Sequence, residues 1–133
     1  SSPPTHNRYT GSEHVSHRSA NEVPAEPVRP GSGTVRQVLI GPNEGPNFSM
    51  RRFTMKPGGG MPKHTNTVEH EQYVLGGAAR IGPGYDVIEV TQGDVIFIPA
   101  GVPNSYDSLG PEAFAFLCVV PNGPDEIRIV DAD

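Results

Sequence analysis

The chain has 133 residues and carries 10 Lys+Arg against 15 Asp+Glu, a formal charge of -5. It therefore fits one domain with a modest core and lacks the basic face with which a general nucleic-acid binder neutralises phosphates. Trp is absent and aromatic residues make up 7%, which argues against a base-stacking platform, and no run approaches the ~18 apolar residues of a membrane span.

Residues 1–33 are polar and proline-bearing, with no helical period. They read as an extended arm, with one short strand expected near Glu13–Ser19. Such an arm is stable only against a surface, and docking on a second copy would also cover sheet edges, so a homodimer built through the arm is expected. His6, His14 and His17 lie in it and are expected to be solvated, although a pair three apart can take up metal adventitiously. The chain begins Ser1-Ser2 rather than with Met, which suggests that an upstream segment was removed. No signal-peptide pattern is visible. The lone Cys118 excludes an intrachain disulfide and leaves the redox compartment open. A cytoplasmic location is favoured, with an exported form left open.

From Thr34 the texture changes to short β-type runs: TVRQVLI, NFSMRRFTM, EHEQYVL, AARI, DVIEV, DVIFIPA and EAFAFLCVV. Gly, Pro and Asn clusters (GPNEGPN, KPGGG, LGG, GPGYD, TQGD, PNGPD) supply turns at intervals of roughly ten residues, the spacing of antiparallel sandwiches and barrels. No stretch keeps a 3.6 period, so a βαβ sheet is not expected. The expected architecture is an all-β jelly roll over 34–133, preceded by the arm over 1–33.

Two spacings are informative together. Gly58, His64, Asn66, His70 and Gly77 form one, and Gly93, Pro99, Gly101 and Asn104 form the other. Together they resemble the two motifs of the cupin superfamily, Gly-x5-His-x-His-x3,4-Glu-x6-Gly and Gly-x5-Pro-x-Gly-x2-His. The likeness spans about residues 34–121 and is strongest to small single-domain cupins in which four histidines hold manganese, iron or another first-row ion. It implies a double-stranded β-helix barrel with a metal site near its mouth.

Strand alternation gives the spacing a physical reason. Residues i and i+2 share a face, so His64 and Asn66 should point into one cavity, followed by His70 and Gln72 from the next strand. Pro99 and Gly101 should aim Asn104 at the same point. The resemblance implies four metal positions, His64, Asn66, His70 and Asn104, with asparagine where the family carries histidine at two of them. Amide oxygens are weak, hard donors compared with imidazole, so the ion (manganese, iron, copper or nickel) should be held less tightly and be more open to water or substrate. A shifted register would bring Glu69 or Glu71 inward instead, whereas the Gly77 spacing favours His70. Two histidines that merely hydrogen-bond asparagines and ordered water are the simpler alternative.

By the same alternation Gln72, Tyr106, Phe116 and Cys118 line a partly apolar pocket, with Phe114 on the same face. Phe116 and Cys118 each also suit an ordinary core. Of the adjacent pair Arg51 and Arg52 one should face inward, either to anchor a substrate carboxylate or to serve a subunit contact. No nucleophile with a matched base is apparent, so any chemistry would be carried by the metal. Two functions follow: a metal-dependent, oxygenase-type enzyme acting on a small organic molecule, or a non-catalytic module that binds a metal ion or a small polar ligand.

Overall fold

The computed structural model describes residues 15–83 and 86–130, and nearly all of its ordered elements are strands. They are β1 (Glu26–Pro27), β2 (Ser32–Ile40), β3 (Phe48–Asn66), β4 (His70–Gly76), β5 (Ala78–Ile81), β6 (Ile88–Thr91), β7 (Val95–Ile98), β8 (Asn104–Ser108), β9 (Phe114–Pro121) and β10 (Ile127–Ile129). All pair antiparallel, in the order β6-β5-β8-β3-β9-β4-β7, with β2 and β10 also on β3 and β1 on β2. The sheet curls into the expected all-β jelly roll. Its inner face buries Met55, Val74, Phe114 and Cys118 completely, and alternation along β9 is strict, with Phe114, Phe116, Cys118 and Val120 buried and their neighbours half-exposed.

β3 is the element on which the others depend. Residues 48–55 pair with β2 on one side and β9 on the other, and residues 60–66 pair with β8 and β10. One strand of 19 residues thus belongs to both halves of the barrel. KPGGG, expected to be a turn, instead lies within this strand. Its glycines serve close packing: a Cβ on Gly59 would sit 2.6 Å from the Ser32 carbonyl oxygen, and one on Gly60 would be driven into the Tyr106 carbonyl. Gly58 differs, with φ of 85° and open space around it.

Of the segment ahead of Thr34, residues 15–19 form no strand, and Glu13, with His6 and His14, lies outside the described residues. Residues 18–23 lie on the face of β2 turned away from the interior, and β1 then pairs along the edge of β2. Gln37 Nε2 donates to the carbonyls of Ala20 and Val23 at 3.0 and 2.9 Å, and Arg18 reaches the Leu39 carbonyl and Glu44 at 2.8 and 2.7 Å. Val28 joins the core.

Gly60→Ala should destabilise the fold by about 3 kcal/mol, the upper range for overpacking a rigid contact, whereas Gly58→Ala should cost about 1 kcal/mol, the penalty of a left-handed backbone alone. Urea denaturation of the two variants checks this. Equal losses would mean that the approach of β3 to β8 is not the constraint.

Candidate functional site

Alternation along β3 turns Arg51, Phe53 and Met55 inward from one half of the barrel. A register irregularity between Met61 and His64 resets the phase, so that Met61, His64 and Asn66 face inward from the other half. On β4 His70 and Gln72 are buried while Glu69 and Glu71 are exposed. Tyr106 arrives from β8 and Phe116 from β9. These side chains line one cavity of about 470 Å³, counted with the solvent at its mouth. Asp125 and Ile127, in and just before β10, form its lip.

His64 Nδ1 lies 2.9 Å from the Pro62 carbonyl oxygen. That carbonyl can only accept, so in the neutral ring Nδ1 carries the proton and Nε2 the lone pair. His70 Nε2 is buried without a hydrogen-bond partner, and Asp125 Oδ2 approaches it only to 3.9 Å. Burial, then the Arg51 charge, with His64 adding to them and Asp125 opposing, pushes the His70 imidazole down to about 4. Gln72 Nε2 donates to the Tyr106 hydroxyl oxygen at 2.8 Å, and its Oε1 is buried without a partner. Burial raises the Tyr106 phenol above its ordinary value, so it remains a proton donor. The Cys118 thiol is likewise raised by burial and is no nucleophile.

Part of the same lining is aromatic. Phe53 stacks on Phe116 with centroids 5.2 Å apart, and Phe116 on Tyr106 at 5.4 Å and 3°. The Arg51 guanidinium lies 5.3 Å from the Phe53 ring centroid. A cavity whose lining combines buried polar atoms with aromatic rings suits a small ligand that carries oxygen on an apolar frame.

Of the residues singled out from the sequence, His64, Asn66, His70, Gln72, Tyr106 and Phe116 share this wall. Asn104 pairs with His64 across β3 and β8 but is not part of the wall, because its amide turns back to donate to the Val102 carbonyl at 3.0 Å. Cys118 sits behind the wall, 3.8 Å from both Gln72 Nε2 and Arg51 Nη2. Arg51 is the inward member of its pair, and Arg52 turns outward to Gln37 Oε1 at 2.8 Å. Sequence reasoning passed over Arg36, Met61 and Asp125. Arg36 had a readable signal in its phase with Thr34, whereas Asp125 is brought in by a turn with no pattern.

Among the described residues no group of three His, Cys, Asp or Glu side chains is gathered closely enough to hold a metal ion. The donors offered to the cavity are instead two imidazole nitrogens and the amides of Gln72 and Asn66. The unpartnered His70 Nε2 and Gln72 Oε1 are groups that a first-row ion takes as ligands.

The family model described as Cupin domain (Cupin_2) matches residues 51–120. Among solved structures, the polyketide cyclase RemF from Streptomyces resistomycificus is 30% identical, with a TM-score of 0.81 over 90% of this chain and 88% of that one. A cupin-2 domain protein from Rhodospirillum rubrum is 25% identical, with a TM-score of 0.74 over 89% and 81%. A cupin 2 conserved barrel domain protein from Rhodopseudomonas palustris shares the fold at 24% identity, with a TM-score of 0.75 over 89% and 86%. No curated protein sequence matches the chain.

The depressed His70 makes stability depend on pH. In the unfolded chain its imidazole takes a proton near 6.5, in the fold only near 4. The unfolded state therefore binds the proton first as pH falls, and the contribution present above pH 6.5 is lost on the way to pH 4. The expected slope is about 1.4 kcal/mol per pH unit in the metal-free protein. Urea midpoints between pH 7 and 4.5 should show it, and His70→Gln should flatten it. An unchanged slope in that variant would assign the effect to another group.

Proposed function

The chain belongs to the cupin domain family, and from that premise we propose that its cavity closes rings in a small poly-β-carbonyl molecule, aided by a divalent first-row metal ion. One observation carries the reading: two buried polar atoms without partners, His70 Nε2 and Gln72 Oε1, face the same space as the stacked Phe53, Phe116 and Tyr106. The likeness to a polyketide cyclase supports the choice of substrate.

His64 Nε2, His70 Nε2 and Gln72 Oε1 would hold the ion, with Asn66 beside them. A bound ion would supply Lewis-acid polarisation of a substrate carbonyl. The aromatic wall holds the planar part of the substrate and excludes water, keeping the two reacting carbons together. Thr67 N–H holds Asp125 Oδ1 at 3.1 Å, which leaves Oδ2 to take a proton from a methylene flanked by two carbonyls. That carbon then bonds to a second carbonyl carbon, whose oxygen accepts a hydrogen bond from the Tyr106 hydroxyl. The proton taken by Asp125 passes to the new alkoxide and makes it a hydroxyl. Asp125 then removes the second proton of the attacking carbon, the hydroxyl leaves with that proton as water, and a carbon–carbon double bond forms in the closed ring.

The oxygenase-type reaction expected from the sequence would use the same donors, and the cyclase likeness favours ring closure over it. A short linear poly-β-ketone ending in a carboxylic acid, incubated with protein loaded with manganese, iron, copper or nickel, should lose one water per ring faster than in buffer. His70→Ala should slow this by about tenfold or more. Recovery of the ketone unchanged would overturn the cyclase reading, oxygen consumption would return the oxygenase, and a ligand bound but unaltered would leave a binding module.

Metal affinity gives a separate check. Asn66→His adds an imidazole at a position already facing the cavity and should tighten a late first-row ion by about tenfold or more, whereas His64→Ala should abolish binding. Direct titration with copper or nickel measures both. No gain in Asn66→His would mean that Asn66 and the two histidines do not converge on one ion.

A further inference from the structure

Two arginines stand in the wall of the cavity without an adequate counter-charge. Arg36 on β2 pairs with Phe53, and Val38, two residues on, pairs with Arg51. The two guanidinium-bearing residues are therefore diagonal neighbours on one face of the sheet. Each has its Nε buried without a hydrogen-bond partner. Arg36 reaches Glu26 only at 4.0 Å, and Glu26 is largely exposed. The Arg51 guanidinium meets the Cys118 sulfur at 3.8 Å and the face of Phe53. Among the described residues no carboxylate forms an ion pair with Arg51.

Like charges side by side with buried, unused donors are unfavourable unless an anion joins them. Their position indicates where that anion would come from. Arg36, Arg51 and Asp125 line both the inner cavity and an outer groove flanked by Val38, Ser49 and Val120. They form the passage between the two. A flat molecule in the cavity, held against the edges of Phe53 and Phe116, would carry a substituent into this passage, where the planar forks of the arginines match a carboxylate in two-point contact. Asp125 bears a negative charge in the same passage, so the pair outweighs it by one unit and weakens rather than cancels the site.

The geometry points to a carboxylate subsite formed by Arg36 and Arg51, and hence to an anionic substrate: a planar, carbonyl-rich or aromatic carboxylic acid rather than its neutral ester or amide. This deepens the proposed function and rests on the reading of the cavity as a substrate site.

Naphthoate and naphthamide, which share a ring system and differ in charge, are suitable probes for binding to the full chain by NMR or calorimetry. Wild type should bind the acid about tenfold or more tightly than the amide. Arg51→Gln should remove that preference while keeping amide affinity, which also shows that the variant folds. Arg36→Gln should reduce the preference, and Asp125→Asn should enlarge it. Equal binding of acid and amide by wild type would overturn the carboxylate subsite and leave the cavity reading intact. A preference that survives in both arginine variants would overturn it as well. If neither probe binds, the subsite and the substrate cavity fall together.

Discussion

The contact between Gly60 and the Tyr106 carbonyl is the constraint on which the rest of the structure depends. Only a residue without a side chain lets β3 press so close to β8 while it crosses from one half of the barrel to the other. Because β3 remains one strand, Arg51 and Phe53 are rigidly connected to His64 and Asn66. Had KPGGG formed a turn, the two groups would sit on separate elements. A charged and aromatic wall and an imidazole wall would then face each other only by loop geometry, which is a looser arrangement.

The electrostatics of the cavity follow from that rigidity. His70 lies between Arg51, which opposes its protonation, and Asp125, which favours it too weakly to overcome burial. A neutral imidazole is the form that can share its lone pair, whether with a proton or with a metal ion. Tyr106 is buried in the same cavity as a phenol, with Gln72 as its donor, so the cavity presents both lone pairs and a proton donor. Cys118, just behind, takes no part because burial suppresses its thiolate.

Much of this arrangement is visible in the letters, because a strand has a period of two. Once a barrel is assumed, burial of His70 and Gln72, with Glu69 and Glu71 left in water, follows from alternation alone, as does the Phe114–Val120 series. The turn at Thr91–Asp94 is equally plain: Asp94 caps the Thr91 N–H at 2.8 Å and Gly93 takes φ of 91°. Three things resist such reading. The glycines of KPGGG look like a turn because local propensity carries no trace of a strand 46 residues away that needs room. Asn104 faces the same side as His64, yet its amide is taken by a local carbonyl, and such competition leaves no pattern in sequence. Asp125 reaches His70 only because Thr67 anchors it, a contact across 58 positions that no spacing rule contains.

That anchor divides the barrel into two kinds of wall. The inner strands hold the fold and the ligand with the same residues, so a change there disturbs both. β10 is different. All three of its side chains are exposed, it pairs only along Thr65 and its neighbours, and the Thr67 hydroxyl hydrogen-bonds to the backbone on both sides of Asp125. Ile127 thus borders the cavity while contributing little to the core. The lip is consequently a part of the binding surface whose composition is almost free of the demands of folding. Selection, or an engineer, can reshape what enters there by editing Ile127 without renegotiating the packing beneath.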